Sequence, residues 1–321
     1  MNEKIKLILK ETFASAVQNH KKGNFQIAEK LYKEILNLDP KHLQSIVLLG
    51  TLSGQIKNFD LAKKLLRKAI MINPNYAEAH YKLGIILKEL GEVQEAINCY
   101  EKAIEINPNY VDAHNNIGNL FLKSGKIEKA INCFEKAIEI NPNDSDIHHN
   151  LGNCYDESNN FKKAISCYEK AIEINPNYVN AYNNLGIAFK KFGKVKKAID
   201  CYKKAIQLQP NHVDAYNNLG LAFKELGEVQ EAINCYEKAI KINPNYMLAY
   251  NNLGLAFREL NQLKKAASCY EKALNLDPSR KDVCEGYGDL LLKLNMHIKA
   301  LEYIKKGTGF ICFTKKDVRI I

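Results

Sequence analysis

The sequence predicts an all-α fold, a right-handed superhelical solenoid of about nine 34-residue helix-turn-helix repeats, and three observations predict it. The eight prolines, Pro40, Pro74, Pro108, Pro142, Pro176, Pro210, Pro244 and Pro278, recur at one spacing of 34 residues. A fixed period between about 20 and 50 residues is the signature of an array. Small and large residues recur in step with the prolines, and a glycine or asparagine recurs where a first helix has to stop.

With each proline at position 32, repeats begin at Leu9, Leu43, Ala77, Val111, Ser145, Val179, Val213, Met247 and Lys281. The array therefore covers 9–306, with an extension of the first helix over 1–8 and a tail over 307–321. Position 8 is Gly50, Gly84, Gly118, Gly152, Gly186, Gly220, Gly254 and Gly288, with Ala16 in the first repeat. Position 20 is alanine throughout, from Ala28 to Ala300, and position 24 is mostly aromatic: Tyr32, Tyr100, Phe134, Tyr168, Tyr202, Tyr236 and Tyr270. Small residues facing large ones let two helices approach at close-packed density.

Position 15 closes the first helix, because a left-handed residue ends a helix and glycine or asparagine tolerates that conformation best. Gly23, Gly91, Gly125, Gly193 and Gly227 comply, as do Asn159, Asn261 and Asn295; Lys57 alone departs. The second helix ends before Asn-Pro or Asp-Pro. A residue preceding proline is pushed out of the helical region, so Asn107, Asn141, Asn175 and Asn243 mark boundaries for a stereochemical reason.

This small-residue, aromatic and proline pattern over 9 to about 306 resembles the tetratricopeptide repeat family. Position 4, often tryptophan in the family, is here His80, His114, His148, Tyr182, Tyr216 or Tyr250, and the chain has no tryptophan. Slightly looser packing in the same fold is the expectation.

The chain is 46% hydrophobic and 26% charged with a net charge of +10. No apolar run approaches the roughly 20 residues that cross a bilayer. Lys4, Lys6 and Lys10 interrupt any signal-peptide core, so the expected location is the cytoplasm, without a membrane partner. Six of the nine cysteines, Cys99, Cys133, Cys167, Cys201, Cys235 and Cys269, occupy position 23 of successive repeats. Equivalent helices lie at least about 8–10 Å apart, beyond the roughly 7 Å reach of a disulfide, so free thiols are expected. His148, His149 and Cys154 share a helix, but adjacent residues do not share a face; no metal and no cofactor are expected. The Asn143-Asp144-Ser145 sequon is expected to be idle without a secretory signal.

Positions 5 and 6 read Asn115-Asn116, Asn183-Asn184, Asn217-Asn218 and Asn251-Asn252, with His149-Asn150 in the middle repeat. With first helices lining the concave face, Asn116, Asn150, Asn184, Asn218 and Asn252 should form a peptide-binding ladder along one groove. This resembles the asparagine ladder of O-linked N-acetylglucosamine transferases, and the resemblance implies aspartates one helical turn earlier, matched by Asp112, Asp146 and Asp214. Asn180 and Leu248 take that place in two repeats, and Lys82 holds the ladder position in the third, so the groove is asparagine-rich only from about 111 to 259.

An asparagine amide offers donors and an acceptor, so it pairs with a peptide N–H and C=O whatever the side chain. Each net bond contributes about 0.5–1.5 kcal/mol, and ordering a flexible ligand offsets much of the sum, which predicts affinities no tighter than about micromolar. At about 3.3 Å per ligand residue and roughly 8–10 Å per repeat, five rungs hold about 12–15 residues. The expected role is a non-catalytic adaptor for proteins or disordered peptide segments.

Competing readings are each tied to a feature. Glu89–Ile104 and Glu225–Ile240 are identical, so duplication alone could have copied surface asparagines. Resemblance to transferases suggests a recruiting arm with a glycosyltransferase partner, but the chain carries no P-loop, dinucleotide fingerprint or nucleophile elbow, so no enzyme is expected. Position 12 carries Lys88, Lys190, Lys224 and Arg258, yet Glu89, Glu157, Glu225 and Glu259 stand beside them, a mixed face that does not specify nucleic acid. Lysines at position 5, needed to clamp chaperone tails, are absent. Self-association through the convex face stays open. The last helix should stop near Lys306 because Gly307 replaces an alanine, and the apolar tail Phe310-Ile311-Cys312-Phe313 should fold back on the last repeat or dock on a partner.

Overall fold

The computed structural model describes the backbone of residues 3–308, 311–313 and 318–320. Within these residues the chain is an all-helical repeat solenoid followed by a short strand pair. It divides into two compact units, 1–154 and 155–321. In the first, α1 (Glu3–Lys21) pairs with α2 (Phe25–Leu38), α3 (Leu43–Gln55) with α4 (Phe59–Ile72), α5 (Ala77–Glu89) with α6 (Val93–Ile106), and α7 (Val111–Lys123) with α8 (Ile127–Ile140). The division falls within α9 (Ser145–Glu157).

The second unit continues with α10 (Phe161–Ile174), which packs on α11 (Val179–Lys191). Then α11 pairs with α12 (Val195–Leu208), α13 (Val213–Glu225) with α14 (Val229–Ile242), α15 (Met247–Glu259) with α16 (Leu263–Leu276), and α17 (Lys281–Lys293) with α18 (His297–Thr308). Second helices α2, α4 and α6 of the first unit, and α10, α12, α14 and α16 of the second, also pack on the first helix of the following repeat.

All nine position-15 residues are left-handed. The glycines lie at φ 72–80°, Asn159, Asn261 and Asn295 at 55–59°, and Lys57, the apparent exception, at 62°. The closure that needs this conformation is a backbone bond five residues back: Glu92 N–H to the Leu87 carbonyl at 2.9 Å, and Asn58 N–H to the Ser53 carbonyl at 2.8 Å. That bond holds Lys57 left-handed in spite of its Cβ. At the other end, Asn73, Asn107, Asn175 and Asn243 are extended before their prolines. Each side-chain oxygen accepts from the N–H two residues on, at 3.0–3.2 Å, bracing the turn.

The core is the small-against-large pairing repeated. The rings of Tyr100, Tyr202 and Tyr236 are fully buried, and a Cβ on Gly84, Gly186 or Gly220 would lie 2.5–2.6 Å from the facing ring. The position-4 histidines tie each first helix to the chain before it: Nε2 of His80, His114 and His148 donates to the carbonyls of Pro74, Pro108 and Pro142 at 2.9–3.0 Å.

The expected stop at Lys306 is corrected: α18 runs through Gly307 to Thr308. A Cβ at 307 would lie 2.5 Å from Glu285 Cγ and 3.0 Å from the Lys281 carbonyl, so this glycine permits close approach to α17 rather than ending a helix. Beyond it, β1 (Ile311–Phe313) and β2 (Val318–Ile320) pair antiparallel with Cys312 opposite Arg319. What the tail side chains touch lies outside the described residues.

Candidate functional site

The Asn-Asn doublets sit midway along the first helices, where consecutive first helices lie side by side. In the second unit Asn218 Nδ2 donates to Asn183 Oδ1 at 3.0 Å, and Asn252 Nδ2 to Asn217 Oδ1 at 2.8 Å. In the first unit Asn150 Nδ2 donates to Asn115 Oδ1 at 3.1 Å. Position 6 of one repeat thus reaches position 5 of the repeat before it. Where position 5 is not asparagine, Tyr81 takes the part: its hydroxyl accepts from Asn116 Nδ2 at 3.0 Å.

This register separates two roles within each doublet. Asn183 and Asn217 are only 8% and 5% exposed and act as anchors, whereas Asn116, Asn150, Asn184, Asn218 and Asn252 are half-buried. A primary amide has two N–H donors and an oxygen with two lone pairs. One donor of Asn150, Asn218 and Asn252 is committed to the preceding repeat, which fixes the side-chain rotamer; an amide so held has a second donor and an oxygen to offer a ligand, although the oxygen of Asn150 is shared with His149. In the sixth repeat the Asn184 oxygen accepts from Asn183 at 3.3 Å. The ordering of these amides is the feature sequence reasoning missed, although the recurring doublet was its signal.

Asp112, Asp146 and Asp214 are exposed. Asp214 Oδ1 accepts the hydroxyl of Tyr246 at 2.6 Å. Burial, reinforced by that acceptor, pushes the Tyr246 hydroxyl pKa well above its ordinary value. Asp112 adds to the effect of burial in raising Tyr81 to about 12. Asp112 and Asp214 therefore act on neighbouring tyrosines and Asp146 on His149, and repeats six and eight carry Asn180 and Leu248 in the same place. His149, in position 5 of the middle repeat, is 9% exposed. Burial lowers its pKa, opposed by the charge of Asp146 and a hydrogen bond with Asn150.

The charged edge of the same helices is paired across repeats. Lys190 meets Glu225 at 3.8 Å and Lys224 meets Glu259 at 4.0 Å, each from position 12 to position 13 of the following repeat. Asp156 and Lys191 fill the same places with signs exchanged, at 2.6 Å. His20 and Gln55 occupy them as a neutral pair at 2.8 Å. Alternating, internally matched charge does not present a phosphate-binding stripe.

The described position-23 cysteines are free thiols. Burial raises Cys99, Cys133 and Cys269 to about 11 and Cys201 and Cys235 to about 12, keeping them protonated and unreactive at neutral pH. Among the described residues no cluster of three potential metal ligands occurs, and no helix is long and apolar enough to cross a membrane.

Paired helices at a 34-residue period, closed by a left-handed position 15 and packed glycine against aromatic ring, define a class: a helix-turn-helix repeat array. Tetratricopeptide repeat models match residues 111–144, 145–178, 167–200, 213–246 and 248–280, and a TPR repeat model matches 55–91, 86–125 and 191–227. Together these run from 55 to 280, well over half of the chain, and the chain belongs to the tetratricopeptide repeat family.

Among solved structures, the chain is similar to YrrB, described as "a TPR protein with an unusual peptide-binding site", at 26% identity and a TM-score of 0.50, over 57% of this chain and 95% of that one. Similarity to PilF of Pseudomonas aeruginosa, at 22% identity and a TM-score of 0.55 over 60% of this chain and 88% of that one, shows the fold alone. MamA aligns at 27% identity and a TM-score of 0.49, over 50% of this chain and 95% of that one. No curated protein matches in sequence. The family models identify the repeat and carry nothing specific to glycosyltransferases.

Proposed function

We propose that this protein is a non-catalytic scaffold that holds extended polypeptide segments against the asparagine-bearing face of its first helices. The observation that carries the reading is the bond from the Asn116, Asn150, Asn218 and Asn252 amides to position 5 of the preceding repeat. It holds the amides in one orientation before a ligand arrives, and pre-ordering reduces the entropy that binding would otherwise cost. The remaining donor and acceptor match a peptide group and ignore its side chain. Asn116 and Asn150 would serve the first unit, and Asn184, Asn218 and Asn252 the second. Asp112, Asp146 and Asp214 would set the polarity of the rim. The peptide-binding site attributed to YrrB, a similar protein, supports this use of the repeat.

The test is capture from a cell lysate followed by mass spectrometry, comparing wild type with the combined Asn→Ala variant at 116, 150, 184, 218 and 252. Circular dichroism must first show equal helicity. Clients with disordered segments that disappear with the variant support the reading. An unchanged client list means that the amides serve only to join repeats.

A further inference from the structure

The cross-repeat contact between positions 12 and 13 is made by some repeats and not by others, and in the second repeat no side chain is present to make it. Position 12 of the second repeat is Gly54, where other repeats carry a side chain that reaches position 13 of the next, as His20, Asp156, Lys190 and Lys224 do. Without it, Glu89 turns to its own neighbour Lys88 at 3.3 Å. Beside Gly54 lies a cavity of about 380 Å³ between α3 and α5, lined by the apolar Gly54, Phe59, Ile85 and Ile86 together with Lys57 and Lys82. Ile86 Cδ1 stands where a Cβ on residue 54 would go, so the glycine is what admits this arrangement.

Two features give the cavity a chemistry. Its volume is ample for a large apolar side chain together with the neighbouring atoms of an extended peptide. Lys57 and Lys82 have no carboxylate partner among the described ion pairs, while the one carboxylate in the lining, Glu89, is held by Lys88. Lys82 also occupies position 6, the place taken by asparagine in the fourth to eighth repeats. We infer that this cavity is a specificity pocket for an extended peptide, taking a leucine- or phenylalanine-sized side chain with a flanking Asp or Glu on Lys57 and Lys82. The inference rests on the reading that the first-helix face receives extended peptides, and it adds a sequence-selective anchor to a face that otherwise reads only the backbone. The chain's own apolar tail is the wrong occupant by charge, because Lys315 and Lys316 follow it.

The experiment is fluorescence anisotropy with three labelled Gly/Ser peptides carrying Asp-Leu-Asp, Asp-Ala-Asp or Lys-Leu-Lys at the centre. They are titrated with wild type, Lys82→Glu, Gly54→Lys and the combined asparagine variant. Wild type should bind Asp-Leu-Asp about tenfold tighter than Asp-Ala-Asp, the loss that follows from withdrawing a buried leucine side chain. Lys82→Glu, a surface change that leaves the core intact, should abolish the preference for Asp-Leu-Asp over Lys-Leu-Lys. Gly54→Lys should reduce the leucine preference by filling the pocket.

Equal binding of the leucine and alanine peptides, of the acidic and basic peptides, or of wild type and Lys82→Glu overturns the pocket. If the asparagine variant alone loses affinity, the pocket is refuted and the amide face stands. If Lys82→Glu loses affinity and the asparagine variant does not, the pocket stands and the amide face is refuted. Failure of all three peptides to bind wild type refutes both.

Discussion

The ring of Tyr236 occupies the space that a methyl group on Gly220 would need, with Cε1 2.5 Å from where that carbon would lie. Tyr236 is fully buried and has nowhere to withdraw. Gly220→Ala should therefore destabilise the seventh repeat. Overpacking costs about 1–3 kcal/mol, of which up to about 1 kcal/mol is offset by the better helix propensity of alanine. A lower urea midpoint, with faster amide exchange localised to α13 and α14, is the expected result.

The hydroxyl of the same tyrosine is buried without a protein partner, as are those of Tyr100, Tyr202 and Tyr270. The fourth repeat does without one, having Phe134 in that place. Removing a buried, unpaired hydroxyl relieves a desolvation cost. Tyr236→Phe should leave stability unchanged or raise it by up to about 1 kcal/mol, read from the thermal unfolding midpoint.

Lys57 is the only position-15 residue other than glycine or asparagine, and it is left-handed at φ 62°. A side chain with a Cβ costs about 1 kcal/mol or more there. Lys57→Gly should raise stability by about 0.5–1 kcal/mol, measured by urea titration.

His149 is held below its ordinary pKa of 6.5 by burial. A depressed folded pKa means that the unfolded chain binds the proton more readily, so stability is full above about 6.5 and falls as pH drops toward the folded value. The thermal midpoint of wild type should decline through this window on acidification. His149→Asn, which installs the residue found at position 5 in neighbouring repeats, should flatten the decline; an equal decline in the variant would assign it to other groups.

The parts of the fold legible in the sequence are those set by local stereochemistry. Pro74 constrains Asn73, and Gly91 supplies the left-handed residue that lets Glu92 close the first helix, so helix ends follow from the residues themselves. Lys57 was misread because its conformation is imposed by the closure around it, not preferred by its type. Gly307 was misread for the opposite reason: it has a glycine's freedom but uses its lack of a side chain, and only the approach of Glu285 reveals which. The candidate face was half legible. The doublets Asn183-Asn184 and Asn217-Asn218 stand out in the sequence, yet the partner of Asn218 lies one repeat and one residue away at Asn183, which periodicity alone does not pair.

The central claim is that ordered amides on the first helices bind peptide backbone irrespective of side chain. Its most direct measurement is the affinity of an unstructured peptide of about 15 residues, in its original and shuffled orders, for wild type and for the combined Asn→Ala variant at 116, 150, 184, 218 and 252, with helicity matched. The account predicts equal affinity for the two orders, no tighter than about micromolar, and a loss of about tenfold or more in the variant. Unchanged affinity in the folded variant would contradict it and leave the asparagines as a seam between repeats.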